Sequence, residues 1–309
     1  MSIEQQLAPF NPNKDAALTI GTFDGVHLGH QHLLRALKEK AQKHNLASIA
    51  LTFRNQPRAV LVPGYQPQYL ASWEQRQRLI RQQGIDHIAP LEFTKELSQV
   101  KARPFVQTLV DHLRMKGLVV GPDFALGHKR EGTILVLREL GREMGFWLHV
   151  VEPMSQGGQV ARSRSLRQMV SEGKVEAASA LLGRCYSLTG TVAHGDARGR
   201  ELGFPTANLL VEPELLVPGN GIYATWATVR MGKRPSATSI GVRPTFGGGA
   251  RLIETFIMDF HGDIYGEVMA VEFVSRLREE RAFASVAELV SQMDKDVEQA
   301  KAILSGSAR

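Results

Sequence analysis

Cysteine is nearly absent from the chain: Cys185 is the only one in 309 residues. A lone thiol excludes an internal disulfide and any metal site built from several cysteines, and its apolar neighbourhood marks it as a packing residue rather than a nucleophile. Long apolar runs are missing as well. No stretch approaches the ~20 residues a membrane span requires, and Met1-Ser2-Ile3-Glu4-Gln5-Gln6 has neither the basic flank nor the apolar core of a secretory signal. A cytoplasmic protein with no membrane partner is expected. Aromatic residues make up only 7% of the chain and are not interleaved with runs of lysine and arginine, so nucleic acid is not the expected partner. The net charge of +6 still favours polyanionic ligands such as nucleotides. No internal repeat or low-complexity segment occurs.

What is present is a chain with 43% hydrophobic residues, too long for one ordinary core, so two domains are expected. The first half alternates apolar runs with helical periodicity. Ala16–Ile20, Ala47–Phe53, His87–Phe93 and Gly117–Gly121 read as strands, and Gln31–Lys43, Trp73–Gln83, Ala102–Lys116 and Thr133–Met144 as helices. Such βαβ alternation predicts an α/β fold with a doubly wound, Rossmann-like parallel sheet whose ligands lie at the carboxyl ends of the strands. Near residue 185 the texture changes to glycine-rich turns and short strands, among them Gly221–Ala227 and Ile253–Met258, which predicts a compact antiparallel β-barrel. An apolar stripe of Val286, Leu289, Val290, Met293, Val297 and Ala300 predicts a closing C-terminal helix, with Asp294 and Asp296 on its solvated face. The expected domains are residues 1–184 and 185–309.

One segment joins a strand to a helix with unusual chemistry: Gly21-Thr22-Phe23-Asp24-Gly25-Val26-His27-Leu28-Gly29-His30. Glycines there let the backbone approach a phosphate, and the following helix points free N–H groups and its positive dipole end at it. Imidazoles can hydrogen-bond the charge that builds on a phosphorus centre during transfer. No Gly-Lys-Ser/Thr follows, so this is not a Walker loop, and the three-glycine dinucleotide spacing is lacking. What remains is His-x-Gly-His, a signature of nucleotidyltransferases. The plainer reading is two surface histidines near a turn, and the glycines on both sides weigh against it.

A second dense segment runs from His194 through Gly199, Gly203, Phe204, Pro205, Thr206 and Ala207 to Asn208. Gly203 and Pro205 would fix the backbone so that the Thr206 hydroxyl and the Asn208 amide oxygen converge. These are hard ligands suited to Mg²⁺ bridging nucleotide phosphates. A glycine-rich hairpin is the bland alternative.

Together the segments resemble the bacterial bifunctional riboflavin kinase and FAD synthetase family over nearly the whole chain. The likeness rests on Gly21–His30, on Gly199-Arg200-x-Leu202-Gly203-Phe204-Pro205-Thr206-Ala207-Asn208, on Ser239-Ile240-Gly241-x-x-Pro244-Thr245-Phe246, and on Glu254 followed by Asp259-Phe260 and Tyr265-Gly266. The resemblance implies two ATP-dependent activities. In the kinase half, Thr206 and Asn208 would hold Mg²⁺ and the ATP phosphates, with Gly203 and Pro205 shaping the loop, while Glu254 would take the proton from the 5′-hydroxyl of riboflavin. In the FMN adenylyltransferase half, His27 and His30 would stabilise the transition state as the FMN phosphate attacks the α-phosphate of ATP, beside Gly21, Phe23, Asp24 and Gly29. Asp123, in Gly121–Gly132, and Ser163 and Arg167, in Arg162–Arg167, are carried over as nucleotide-binding residues.

The chain departs from the family pattern twice. Thr-Phe-x-Pro-His-Pro is here Thr52-Phe53-Arg54-Asn55-Gln56-Pro57, and Ser-Ser-Thr-x-Ile-Arg is here Arg162-Ser163-Arg164-Ser165-Leu166-Arg167. An alternative reading therefore keeps only the kinase, with the first domain an impaired or repurposed nucleotide-binding module. A non-catalytic flavin-binding or nucleic-acid-binding regulator is a third.

Overall fold

Five runs in the first half are strands, and the three central ones bury both of their faces. In a computed structural model, which describes residues 2–10, 12–156, 159–194, 199, 202–242 and 251–306, they are β1 (Ala16–Gly21), β2 (Ala47–Phe53), β3 (His87–Leu91), β4 (Met115–Val120) and β5 (Trp147–Val150). They form one parallel sheet in the order β3-β2-β1-β4-β5. Ala16, Leu18 and Ile20 point to the face covered by α1 (Ile3–Leu7), α5 (Ala102–Leu113) and α6 (Ile134–Met144). Ala17 points to the face covered by α2 (Leu28–Lys43) and α4 (Trp73–Arg81). A single short turn of helix, α3 (Pro57–Leu61), follows β2 and buries nothing. Strand order reverses between β1 and β4, which opens a crevice at their carboxyl ends. The segment Gly21–His30 leaves the sheet at that point.

The expected boundaries shift in two informative places. Helix α2 begins at Leu28 rather than Gln31, because His27 caps it. Helix α5 ends at Leu113 rather than Lys116, because Arg114 turns left-handed (φ 50°) and Met115 already pairs with Ala16 in the sheet. A two-stranded ribbon, β6 (Ser155–Gln156) and β7 (Gln159–Val160), follows β5.

The chain divides into two compact units, Met1–Pro67 with Trp73–Arg162, and Gln68–Ser72 with Ser163–Arg309. Helices α7 (Ser163–Ser171) and α8 (Val175–Leu182) thus group with the second unit, whereas the sequence places the division after residue 184. The same unit takes in a strap of the first half of the sequence. The backbone N–H of Tyr69 donates to the Glu214 carbonyl (2.8 Å), that of Leu216 donates to the Tyr69 carbonyl (2.9 Å), and Arg167 Nε donates to the Gln68 carbonyl (2.8 Å). Tyr69, Leu70 and Ala71 are buried there.

The rest of the second unit is a closed antiparallel barrel. Its strands are β8 (Tyr186–Ala193), β9 (Thr206–Leu210), β10 (Gly221–Val229), β11 (Gly232–Val242), β12 (Arg251–Ile257) and β13 (Val268–Arg278), in the order β10-β11-β12-β9-β8-β13. Inside it, the hydroxyls of Ser236, Thr225, Thr238 and Thr255 form a fully buried chain with spacings of 2.8, 2.8 and 3.1 Å. Residues 195–198, 200–201 and 244–246 of the second and third family segments lie outside the described residues.

Helix α9 (Val286–Gly306) packs on the outer face of the barrel. Asp294 is exposed as expected, but Asp296 is not: it is buried and receives three bonds of 2.7–3.1 Å from the Arg278 guanidinium. Its spacing of four to Ala300, itself four from the buried Leu304, puts it on the inward stripe. Removing one member of such a pair strands the other charge. Asp296→Ala is expected to cost about 3 kcal/mol, at the lower end for a buried pair, because the Arg278 side chain keeps 19% of its exposure. Urea unfolding followed at the barrel aromatics measures it.

Candidate active sites

In the first unit the chemistry is set by a tight turn after β1. Phe23 (φ 49°), Gly25 (φ 76°) and Val26 (φ 38°) all have left-handed backbone, which lets the chain reverse within a few residues and start α2 at once. The Phe23 ring folds back over Gly21, where a Cβ would lie 3.2 Å from it and would have to push the ring away by a few tenths of an ångström. That ring meets His30 edge-on, with centroids 5.3 Å apart. His27 caps the helix through Nδ1, which accepts the His30 backbone N–H at 3.3 Å. An Nδ1 used as an acceptor carries no proton, so the ring proton of His27 sits on Nε2.

The two imidazoles stack at 3.7 Å, 17° from parallel. A Cβ on Gly29 would come within 3.3 Å of the His27 ring and 3.4 Å of the Ala161 carbonyl, so this glycine keeps the helix start open. Asp24 and His27 are buried. Nδ1 of His30 is buried without a hydrogen-bond partner among the described residues, a polar atom for a ligand to satisfy. Burial, and secondarily the charge of His27, hold the His30 imidazole well below its usual value, so it is neutral at physiological pH. The unfolded chain then binds more protons than the folded one once the pH falls below the ordinary histidine value of 6.5. Stability is expected to decline as pH drops below that point, and His30→Gln should flatten this part of the curve of unfolding midpoint against pH.

In the second unit, register does what sequence spacing cannot. Thr206 and Asn208 alternate onto one face of β9, and β12 pairs with it so that Glu254 stands opposite Asn208 and Phe256 opposite Thr206. Ser239 of β11 continues the row beyond Glu254. The loop before β9 is held by Gly199, whose carbonyl accepts from the Phe204 N–H (2.8 Å), and a Cβ on Gly199 would lie 2.3 Å from the Phe204 carbonyl oxygen. Gly203 turns with φ 82°, and Pro205 leads directly into the strand. Two cavities open beside Thr206. One, of about 860 Å³, runs between the barrel and α9 and is lined by Asn208, Glu254, Phe256, Leu289 and Met293. The other, of about 450 Å³, is lined by Phe260, His261, Asp263 and Tyr265. Pro205, Thr206 and Tyr265 border both.

A family model described as FAD synthetase matches residues 10–165, and one described as riboflavin kinase matches residues 182–304. The chain is 35% identical over 92% of its length to the bifunctional riboflavin kinase/FMN adenylyltransferase of Escherichia coli, covering 91% of that protein. It is 36% identical to the Haemophilus influenzae protein of the same name, over 93% of each chain. The chain belongs to the bifunctional riboflavin kinase/FMN adenylyltransferase family. A solved structure described as a macrolide-efflux protein from Streptococcus pneumoniae has the same architecture, at a TM-score of 0.90 and 30% identity over 96% of both chains. Among the described residues, no helix is long and apolar enough to cross a membrane.

The first departure from the family pattern has structural partners here. The Asn55 side chain exchanges two bonds with the Phe93 backbone (2.8 and 2.9 Å), and Gln56 is buried, accepting from the Tyr65 hydroxyl at 2.8 Å. Asp123, just past β4, is exposed, with Arg162 at 3.9 Å. Ser163 and Arg167 lie on α7 in the second unit, and the exposed Arg164 stands at the family's threonine position. Burial, and then the charge of Glu272, raise the Cys185 thiol, which therefore stays protonated and is no nucleophile.

The sequence reading missed Arg76, which is 1% exposed in α4 and donates to the carbonyls of Thr22, Phe53 and Arg54. The available signal was its spacing of three and four to the buried Leu79 and Ile80.

Proposed function

We propose that the family's two reactions run at the two sites just described, with residues 1–184 carrying the second reaction and 185–309 the first. In the first, the 5′-hydroxyl oxygen of riboflavin attacks the γ-phosphorus of ATP, the bond to ADP breaks, and Glu254 takes the hydroxyl proton. In the second, a phosphate oxygen of the FMN so formed attacks the α-phosphorus of another ATP, and pyrophosphate leaves. No protein nucleophile is needed in either step, so catalysis is positioning and charge stabilisation.

The pairing of Glu254 with Asn208 beside Thr206 carries the kinase reading. The larger cavity, apolar along α9 and about the volume of a ligand pocket, suits a planar flavin ring, and the smaller one suits a nucleobase. A phosphoryl group crossing from one to the other passes Thr206, which borders both with Pro205 and Tyr265. The donor set also fits Mg²⁺. Thr206 and Asn208 offer a hydroxyl and an amide oxygen on one face, and no cluster of three or more histidine, cysteine or acidic side chains occurs among the described residues. Such a sparse oxygen set matches an ion that takes its remaining ligands from phosphates and water. Bound there with ATP, Mg²⁺ would neutralise charge on the phosphate oxygens, while Glu254 stays available to the hydroxyl.

In the first unit, His27 and His30 offer donors to the α-phosphate, and Gly21, Phe23, Asp24 and Gly29 shape their cradle; the family likeness carries over Asp123, and Ser163 and Arg167 of α7, as nucleotide-binding residues. Arg162 and Arg164 supply guanidiniums where the family has hydroxyls, which suits phosphate oxygens. The protein acts in the cytoplasm on small molecules, without nucleic acid or membrane. Chromatography of riboflavin, ATP and Mg²⁺ incubated with the protein should show FMN first and FAD later. Absence of FMN would contradict the kinase assignment, and absence of FAD from an FMN-plus-ATP mixture would restore the kinase-only reading.

A further inference from the structure

We infer that Arg76 is a positioning residue for adenylyl transfer: it clamps the turn that presents His27 and His30. The inference rests on the adenylyltransferase reading of the first unit. Beyond the last paired residues, Gly21 and Thr52, the ladder between β1 and β2 stops, and the carbonyls that follow need other donors. Arg76 supplies them. Its Nη1 donates to Thr22 (2.8 Å) and Phe53 (2.7 Å), and its Nη2 to Arg54 (2.9 Å). The Thr52 hydroxyl adds a weaker bond to the same Thr22 carbonyl (3.3 Å). The guanidinium lies against the Trp73 ring, 4.9 Å from its centroid, and Arg54 lies 5.1 Å from the same ring. A buried charge is costly to desolvate, and these charge-assisted bonds to backbone carbonyls help offset that cost.

The residue after Thr22 begins the left-handed stretch. A β-branched residue at φ 38°, as at Val26, is a rare conformation that persists only where its surroundings over-determine it. Arg76 fixes the entrance to that stretch, the His27 cap fixes its exit, and the Phe23 ring transmits the position of the first to the ring of His30. A planar fork reaches three carbonyls on two chain segments at once, whereas an ammonium is a point donor.

The test uses the full chain and two readouts. With FMN and ATP, Arg76→Met is expected to lower kcat for FAD formation about 10²-fold, with KM for either substrate within about threefold of wild type. Arg76→Lys should recover about tenfold of that loss, and riboflavin phosphorylation should be unchanged in both. Independently of turnover, the ring resonances of His27 and His30 in the nucleotide-free protein should shift in Arg76→Met and move part-way in Arg76→Lys. Wild-type ring resonances in the variants, or kcat within threefold, would overturn the inference. Equal loss of FMN and FAD formation would do so too, since it marks a general folding role. Should Arg76→Met not fold, the lysine variant decides by the same two readouts. A wild-type protein that made no FAD would count against the adenylyltransferase reading, and the ring resonances would still decide the clamp.

Discussion

His30→Ala lowers FAD formation from FMN and ATP by about 10²–10³-fold and leaves FMN formation from riboflavin at the wild-type rate. The ring is held on two sides, by the stacked His27 at 3.7 Å and by the edge of Phe23, so its donor is already aimed when charge develops on the α-phosphate. Preorganised donors act at full strength because nothing must reorganise at the moment of transfer. Alanine removes the donor and the stacking partner together, and His27 keeps its cap because that bond uses the backbone of residue 30. Helix α2 should therefore survive. Separate assays of the two reactions on one preparation give the result, and loss of both activities would contradict two independent sites.

Glu254→Gln produces the mirror image. The amide keeps the size and cross-strand position of the carboxylate but cannot accept a proton, so kcat for FMN formation should fall about 10²–10⁴-fold while KM for ATP changes little. FAD formation from supplied FMN should be untouched. A kinase activity that survived this change would move the base elsewhere on the cavity wall, and Glu280 is the first alternative, since it lines the same cavity.

The sequence made the architecture legible where one local signal sufficed. Strands β1, β2 and β4 are buried on both faces and read as continuous apolar runs. The turn before α2 announced itself because its left-handed Gly25 and the tight spots at Gly21 and Gly29 all favour glycine in a fixed order. The half-buried four-residue β5 left no such trace, and α1 is short enough that only its Ser2–Gln5 capping box marks it. Arg76 and Asp296 were obscured by charge. Arginine and aspartate on a helix normally face water, and both occupy inward positions because each finds fixed partners across the fold, backbone carbonyls for one and Arg278 for the other. Glu254 was beyond any local argument. On β12 it is one polar residue in an alternating strand, and only pairing across β9 brings it opposite Asn208.

The strap at Gln68–Ser72 bears on how such a protein can be taken apart. Family models meet the chain as two consecutive stretches, which suggests that one cut in the gene would release two self-sufficient pieces. The fold does not divide that way. A cut before Ser163 would leave the buried Tyr69, Leu70 and Ala71 on the first piece and break the backbone bonds of Tyr69 to Glu214 and Leu216 on the second. The first piece would carry a sticky loop and the second an open seam. A clean separation would need the strap excised and spliced onto the other half, and point changes do not accomplish that. The strap makes the second unit depend on a segment that the first half of the chain supplies.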